Sequence, residues 1–166
     1  MWSPPAVTQV VSISFYRFSS RSARLWALTM MAGARLAMRQ VPDIGFWKLC
    51  GSGGGVGFTP RINIDVFAIL ATWPDEATAR DRTQNASIFN RYATKASETW
   101  TVYLKTDSVR GKWAGQSPFV ASNTGQSGPI GVLTRATIKP SILRQFWARV
   151  PDVSERIGND PNVLFK

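Results

Sequence analysis

Residues 65–73 read DVFAILATW, and this stretch decides the predicted fold. A short run that is apolar almost throughout is typical of a central strand that is buried on both faces. Working outward from it, residues 9–18 (QVVSISFYRF) and 99–105 (TWTVYLK) alternate between the two sides of a chain. In the first, Val11, Ile13 and Phe15 share one side. This alternation predicts two further strands.

Helices are predicted on either side of the central strand. Ser19 and Ser20 are suitable N-caps for a helix over residues 21–39. Pro74-Asp75-Glu76 begins a second helix, because proline suits the first turn and carboxylates favour the positive helix end. This helix continues to about Gln84 and is followed by another turn or two up to Lys95. The face of the first helix predicted to be buried contains Trp26, Met30, Gly33 and Ala37.

A glycine-rich segment separates the first helix from the central strand. Residues 45–60 read GFWKLCGSGGGVGFTP, in which residues 45–50 are predicted to form a short strand. Glycine lets another molecule approach the backbone closely, so the following loop is either a flexible hairpin connection or the lip of a binding site. It is not a nucleotide cradle, because no Gly-Lys-Ser/Thr triplet follows and the glycine spacing does not match the dinucleotide-binding pattern.

The order of elements is strand, helix, strand, strand, helix, strand, which is typical of the ferredoxin-like βαββαβ unit. The predicted fold class is therefore α+β, with a four-stranded antiparallel sheet and two helices on one face. This unit is assigned to residues 1–106, and the uncovered sheet face must be buried by something else. Residues 107–129 are rich in Gly, Ser and Pro and are predicted to be a linker. Candidate site residues within it are Arg110, Lys112, Trp113 and Phe119.

Residues 130–166 repeat the beginning of the chain. Residues 130–138 match the first strand, residues 141–150 match the first helix, and residues 160–166 match residues 42–48. This pattern indicates an internal duplication whose second copy stops at its second strand. The predicted architecture is a ferredoxin-like unit followed by an incomplete second copy, as in a truncated dimeric α/β barrel.

Composition limits the chemistry that side chains of this chain can perform. The net charge is +10, which favours nucleic acid, anionic lipid or an acidic protein as partner. There is no histidine, and Cys50 is the only cysteine, so Ser-His-Asp, Cys-His and cysteine-built zinc sites are excluded. Seven Trp residues indicate a large core or a cavity for a big apolar ligand. The longest clearly apolar stretch, residues 66–73, is far short of a membrane span.

The first predicted helix carries a basic face. At 100° per residue its four candidate arginines cluster within about 60°, opposite the predicted core side. This face is either simply solvated or lies on an anionic membrane, as basic amphipathic helices do. The candidate membrane-facing residues are Arg21, Arg24, Leu28, Met31, Arg35 and Arg39.

Several segments together resemble one protein family. They are QVVSISFYRF, PDIGFWKLCGSG, GFTP, VFAILATWPDEATAR, ETWTVYL, SVRGKW and IGNDPNVLFK, with Arg-Leu-Trp-Ala in the first helix. Their number and order, over nearly all of residues 9–166, make the chain similar to the spheroidene monooxygenases, the carotenoid 2-ketolases of photosynthetic bacteria. The resemblance implies an oxygenase that adds a keto group at C-2 of an acyclic carotenoid such as spheroidene. It also implies a fold resembling the dimeric α/β barrel.

The same resemblance implies O2, electrons from reduced ferredoxin, and haem as a candidate cofactor. The basic surface suits an acidic ferredoxin or a membrane, so we expect a cytoplasmic protein peripheral to the inner or photosynthetic membrane. The glycine loop is expected to form one wall of the carotenoid site. The candidate residues are Trp47, Lys48, Gly51, Gly53, Gly54, Gly55, Phe58 and Trp113.

The chain departs from the family in two respects. It lacks a histidine for haem, so the candidate iron ligands are Cys50, Met30 or Met31, and Tyr16, with Cys50 also readable as a small buried hydrophobe. Relatives continue beyond Lys166. An incomplete second copy would leave an apolar face and a strand edge uncovered, so we expect self-association and little ketolase activity from this chain.

Two alternatives come from other functional classes. One is a non-catalytic remnant that binds carotenoid or a partner without turnover. The other is an RNA-binding module, which the sequence disfavours because DVFAILATW lacks the aromatic and basic pattern of an RNA-binding central strand. We therefore expect no nucleic-acid partner.

Overall fold

The computed structural model describes residues 9–53, 62–122, 128–134 and 139–159. Its elements are β1 (Val10–Arg17), α1 (Arg21–Arg39), β2 (Trp47–Gly53), β3 (Ile62–Trp73), α2 (Glu76–Asn85), α3 (Ser87–Lys95), β4 (Glu98–Lys105), a single 3-10 turn (Pro140–Ile142) and α4 (Leu143–Gly158). The strands form one sheet in the order β2-β3-β1-β4, and β1 is antiparallel to both of its neighbours. This confirms the predicted α+β fold and its βαββαβ order, with the second helical position divided into α2 and α3.

Local capping explains where the helices begin. The Ser20 hydroxyl accepts a hydrogen bond from the Ala23 amide at 3.1 Å, so Ser20 is the N-cap of α1. Asp75 caps α2 by accepting from the Thr78 amide at 2.8 Å. This hydrogen bond, together with a second one from the Thr78 hydroxyl, lowers the pKa of the Asp75 carboxyl.

The side of α1 that packs on the sheet differs from the predicted one. Met30 is buried as predicted, but Gly33 is exposed, and Trp26 and Ala37 are only half-buried. Small side chains let a helix backbone approach a sheet closely, so the alanines set the rotation of α1. Trp26 lies at the edge, with its ring centroid 5.2 Å from that of Tyr92. The buried stripe consists of Ala23, Ala27, Met30, Ala34 and Met38.

One face of the sheet packs against the helices and forms the main core. Two buried serines on β1 lie on this face, and both are hydrogen-bonded. The Trp73 indole N–H donates to the Ser12 hydroxyl at 2.7 Å, and the Thr101 hydroxyl donates to the Ser14 hydroxyl at 2.9 Å. The core strand residues on this face are Val10, Tyr16, Phe67, Ile69, Ala71 and Trp73.

Backbone contacts divide the chain into two compact units, one of residues 1–51 and 64–129, the other of residues 52–63 and 130–166. Residues 107–129 group with the first unit in this division. Within them, Trp113 and Gln116 exchange backbone hydrogen bonds, and Ser122 donates to the Thr106 carbonyl. The division into a first ferredoxin-like unit (residues 1–106), a linker (107–129) and a partial second copy (130–166) stays a prediction.

The second unit contains the helix predicted over residues 141–150. This helix is α4, and it extends to Gly158. A strand was expected over residues 130–138, but residues 130–134 form no strand. Residues 135–138 and 160–166, on which the rest of the repeat argument depends, lie outside the described residues.

Candidate functional site

The sheet has a second face, on the side away from α1, α2 and α3, and this face is mainly apolar, with an Arg17–Glu98 ion pair at one end. Residues paired across neighbouring strands share a face, so the register of β1 with β3 and β4 identifies its members. Phe15, for example, is paired with Ala68 on one side and with Trp100 on the other. We use "second face" for Val11, Ile13, Phe15, Ala68, Leu70, Thr72, Trp100, Val102 and Leu104.

Exposure of the second face increases toward β4. Leu70 near its centre is only 2% exposed, whereas Trp100 at the outer strand is 57% exposed. The Trp100 ring stacks on Phe15, with centroids 5.5 Å apart and an interplanar angle of 21°. Ile13 and Val102 beside this stack are half-buried. The open part of the face is therefore a stacked aromatic pair continued by aliphatic side chains.

An aromatic cluster lies on the same face beside β2. Trp47 and Leu49 pack against the helix-side core, so alternation along the strand places Phe46, Lys48 and Cys50 on the second face. The Phe46 ring lies 5.5 Å from Trp113 and 6.1 Å from Phe119, measured between centroids. The Lys48 ammonium lies 4.8 Å from the Phe46 centroid, within cation–π distance. We call Phe46, Trp113 and Phe119 the Phe46 cluster.

The position of Phe46 is fixed by its contact with the end of β3. The Gly45 amide donates to the Thr72 carbonyl at 2.9 Å, and the Phe46 amide donates to the Thr72 hydroxyl at 2.8 Å. A Cβ at position 45 would lie 2.6 Å from the Thr72 hydroxyl oxygen. Only glycine permits this approach without displacing Thr72. Gly45 is therefore required because it has no side chain, which lets the backbone lie close to Thr72.

The residues 113–122 are anchored to the beginning of β1. The Gln9 side chain donates to the Pro118 carbonyl at 3.2 Å and accepts from the Val120 amide at 2.8 Å. These bonds hold Phe119 in place against Phe46. A cavity of about 370 Å³ lies here, lined by Gln9, Asp43, Gly45, Thr72, Trp73, Pro74 and Val120.

The structure brings some predicted site residues together and separates others. Lys48 and Trp113 both contact Phe46, which sequence reasoning did not select. Trp47 packs against the core beneath the helices instead. Gly51 and Gly53 are exposed at the end of β2. Gly54, Gly55 and Phe58 lie outside the described residues.

Sequence reasoning could have found Phe46 from its position in the strand. Phe46 and Trp47 are adjacent, so a strand must direct them to opposite faces. Placing Trp47 rather than Phe46 in the site assumes that Trp47 lies on the second face of the sheet. Only the packing of β2 decides which of the two residues lies there. Phe119 was selected only as a residue of the linker, because its contact with Phe46 spans 73 positions in the sequence.

The surroundings of Cys50 bear on whether it can hold haem iron. Burial raises the pKa of the Cys50 thiol, with a smaller opposing effect of Lys48, and this disfavours the thiolate that ligates iron. Tyr16 and Met30 are buried in the helix-side core, and Met31 packs against it. In the described part of the chain no three His, Cys, Asp or Glu side chains form a metal-binding group. The raised pKa of the Cys50 thiol and the packing of Tyr16 and Met30 in the core disfavour haem at these residues, and ligation by Cys50 stays a prediction.

The candidate membrane-facing residues of α1 divide into two groups. The Arg24 guanidinium donates to the Phe18 carbonyl at 3.1 Å and lies 2.8 Å from the Asp65 carboxylate, so its charge is paired within the fold. Met31 is half-buried against the core. The exposed members are Arg21, Leu28, Arg35 and Arg39. Within the described ranges, no helix combines the length and hydropathy needed to span a bilayer.

A further cavity lies on the helix side of the sheet. Its volume is about 650 Å³, and its lining includes Trp26, Asn85, Ser87, Asn90, Arg91, Thr94 and Lys95. All of these residues except Trp26 have polar or charged side chains. The cavity is therefore less suited to a large apolar ligand than the second face is.

Comparison with known proteins identifies the family. The chain is 43% identical over 159 residues to the spheroidene monooxygenase of Cereibacter sphaeroides, covering 95% of this chain and 49% of the relative. It is 41% identical over 160 residues to the spheroidene monooxygenase of Rhodobacter capsulatus, covering 95% of this chain and 66% of that protein. The chain belongs to the spheroidene monooxygenase family. The spheroidene monooxygenase of Rubrivivax gelatinosus is 33% identical over 127 residues, covering 76% of this chain and 49% of the relative.

Membership of the spheroidene monooxygenase family confirms the resemblance seen in the sequence. The chain spans about half the length of two of these relatives and 66% of the third. No protein-family model matches the chain.

Solved structures show a looser similarity. A conserved protein from Bacteroides thetaiotaomicron, described as a possible oxidoreductase, matches with TM-score 0.43 and 15% identity over 60% of this chain and 98% of its own. SnoaB, a cofactor-independent oxygenase from Streptomyces nogalater, matches in a mutant form with TM-score 0.44 and 12% identity over 63% of this chain and 98% of its own. At this level the similarities carry no argument about the chemistry of this chain.

Proposed function

We propose that this chain takes part in the oxygenation of an acyclic carotenoid, and that the second face of the sheet binds the polyene. The observation that carries the proposal is the open apolar surface around the Phe15–Trp100 stack, in a chain whose curated relatives are spheroidene monooxygenases. A polyene offers almost no hydrogen-bonding groups. Its site therefore needs broad apolar walls, such as stacked rings and aliphatic side chains.

The dimensions of the face suit an extended ligand. The eight residues of β1 span about 26 Å at about 3.3 Å per residue. A rigid polyene lying along β1 and β4 would contact Ile13, Phe15, Trp100 and Val102 together. Burying these partly exposed groups against the ligand removes apolar area from water, which is the favourable term in such binding.

The proposed reaction places a keto group at C-2 of the carotenoid. Two successive insertions of an oxygen atom convert a methylene to a geminal diol, which loses water to give the ketone. Each insertion consumes one O2 and two electrons with two protons, and it reduces the second oxygen atom to water. The electrons require a reductant, for which we propose reduced ferredoxin, an acidic partner suited to the net charge of +10. The second face would bind and orient the polyene and exclude water from it.

A second candidate function is binding without turnover. It is favoured by one observation, which is that burial raises the pKa of the Cys50 thiol and so disfavours the thiolate that would ligate iron. Both candidates require the second face to bind a polyene, and they differ in whether product forms.

Binding and turnover can be tested separately on the purified chain. An acyclic carotenoid in detergent micelles is titrated with protein, and binding is followed by the polyene absorption spectrum and by tryptophan fluorescence. Trp100→Ala removes the exposed half of the aromatic stack, so we expect about tenfold weaker binding. Thr99→Ala is the matched control, because Thr99 is the preceding residue of β4 and is directed to the opposite face.

The outcomes discriminate between the two candidates. With O2 and reduced ferredoxin, oxygenation gives a product with one more oxygen and two fewer hydrogens, detected by mass spectrometry. Binding without this product supports the non-catalytic function. Equal binding by wild type, Trp100→Ala and Thr99→Ala would contradict the placement of the polyene on the second face.

A further inference from the structure

Helix α1 has an apolar outer side as well as an apolar inner side. The inner side is the alanine and methionine stripe that packs on the sheet. On the outer side Leu25 is 64% exposed, Leu28 is 43% exposed and Leu36 is 71% exposed. At about 100° per residue these leucines and the exposed Ala32 fall within about 80° of one another. We call Leu25, Leu28, Ala32 and Leu36 the α1 outer face.

Positive charge surrounds the Leu28 edge of this outer face. Arg21, Arg35 and Arg39 are exposed and fall within about 40° of one another around the angular position of Leu28, with Arg21 and Arg39 at the two ends of the helix. The sequence of α1, RSARLWALTMMAGARLAMR, contains no aspartate or glutamate. Arg24, the remaining arginine of the helix, is paired with Asp65 and is not counted in this group.

We infer that the α1 outer face docks on an anionic lipid bilayer, with the helix axis parallel to the membrane plane. Leucines in a row can insert among the acyl chains, while arginine side chains reach from their edge to the lipid phosphates. The 19 residues of α1 extend for about 28 Å, long enough for all of these groups to engage one flat surface. This inference does not depend on the proposed function.

The charge pattern favours lipid over other occupants. A second copy of this chain, packed through the same face, would bring its arginines near those of the first copy, and like charges at an interface are unfavourable. Nucleic acid would engage the arginines through its phosphates but would leave the leucines without apolar contacts. An anionic bilayer satisfies both features, since it offers a negative surface above an apolar layer.

Vesicle sedimentation provides the test. The purified chain is mixed with vesicles of phosphatidylcholine alone, or of phosphatidylcholine and phosphatidylglycerol in equal amounts, at low and high salt. We expect binding to the anionic vesicles that weakens as salt rises, because mobile ions screen the arginines. The double variant Leu25→Ala with Leu36→Ala should bind about tenfold more weakly. Alanine retains helix propensity at both positions, and circular dichroism checks that α1 is preserved.

Charge variants separate a docking face from the effect of net charge. Replacing Arg21, Arg35 and Arg39 by glutamine should weaken binding to anionic vesicles about a hundredfold, at about 1 kcal/mol per arginine. The matched control replaces the exposed residues Lys105, Arg110 and Lys112 by glutamine, which removes the same charge away from α1. We expect this control to retain most of the binding.

Three results would overturn the inference. The first is equal loss of binding in the two triple variants, which would assign the attraction to net charge alone. The second is unchanged binding after the leucine substitutions. The third is a chain that self-associates in light-scattering measurements, becomes monomeric on the leucine substitutions and never binds the vesicles, which would make a second copy the occupant.

Discussion

The two faces of the sheet differ in a way that is clearest on β1. The face packed against α1, α2 and α3 carries Ser12, Ser14 and Tyr16, whereas the opposite face carries Val11, Ile13 and Phe15. The more apolar side of this strand is therefore the one that α1, α2 and α3 leave uncovered. The buried hydroxyls of Ser12 and Ser14 are hydrogen-bonded, which compensates for their loss of contact with water. The helix side of the sheet is therefore held together by side-chain hydrogen bonds as well as by burial of apolar surface.

This difference indicates distinct roles for the two faces. The helix side is a closed core in which aromatic rings contact one another, with Phe18 near Trp26, Phe67 and Tyr92. The second face is closed at Leu70 and open at Trp100. A surface that stays apolar where it is open is typical of a site that binds another apolar molecule.

The largest expected effect comes from comparing one tryptophan on each face. Trp73→Ala on the helix side should lower the free energy of unfolding by about 3–5 kcal/mol, because Trp73 is 2% exposed and its removal leaves a cavity. Trp100→Ala should lower it by only about 1 kcal/mol, since that ring is mostly exposed. Urea unfolding followed by circular dichroism measures both. Similar losses would mean that the second face is packed as firmly as the core.

An intermediate effect is expected from the buried serine that pairs with Trp73. Ser12→Ala leaves the indole N–H without its acceptor in a buried site and should lower the free energy of unfolding by about 1–3 kcal/mol. In a Trp73→Phe background the donor is absent, so the same serine substitution should cost much less. A double-mutant cycle with no coupling between the two positions would contradict the role given to this hydrogen bond.

The smallest expected effect concerns Tyr92 on the helix side. Among the described residues, its hydroxyl is buried without a hydrogen-bond partner, so Tyr92→Phe should change the free energy of unfolding by less than about 1 kcal/mol near neutral pH and can raise it. Comparing this value with that of Ser12→Ala shows whether a buried polar group in this core adds to the free energy of unfolding only when it is hydrogen-bonded. Urea unfolding of the variant and wild type at one pH measures it.

The same residue makes a prediction about alkaline pH. Burial raises the pKa of Tyr92 to about 12, with a smaller opposing effect of Arg91, and burial likewise raises the pKa of Tyr16. An unfolded tyrosine ionises near pH 10, so above about pH 10 the unfolded state loses the proton first. Stability from these groups is complete below about pH 10 and is lost as pH rises toward about 12. Tyr92→Phe should show a shallower decline, and an identical pH profile would refute the assignment.

The sequence by itself determined the local elements and their order. Ser20 and Asp75 cap their helices through hydrogen bonds to residues only three positions further along the chain. The apolar run of β3 likewise indicates that this strand lies inside the sheet and not at its edge. These signals are local, since they depend on backbone periodicity and on hydrogen bonds between near neighbours. Family membership is likewise carried by the sequence, through the segments that resemble the spheroidene monooxygenases.

Only the tertiary structure decided which side of each element is covered. The rotation of α1 follows its alanines rather than Trp26, because close approach to the sheet favours small side chains over large ones. Phe46, rather than Trp47, reaches the second face because β2 packs Trp47 against the core and Gly45 against Thr72. Trp113 and Phe119 join Phe46 through contacts between residues far apart in sequence. Such contacts depend on how complete elements pack, which periodicity along a single chain segment does not encode.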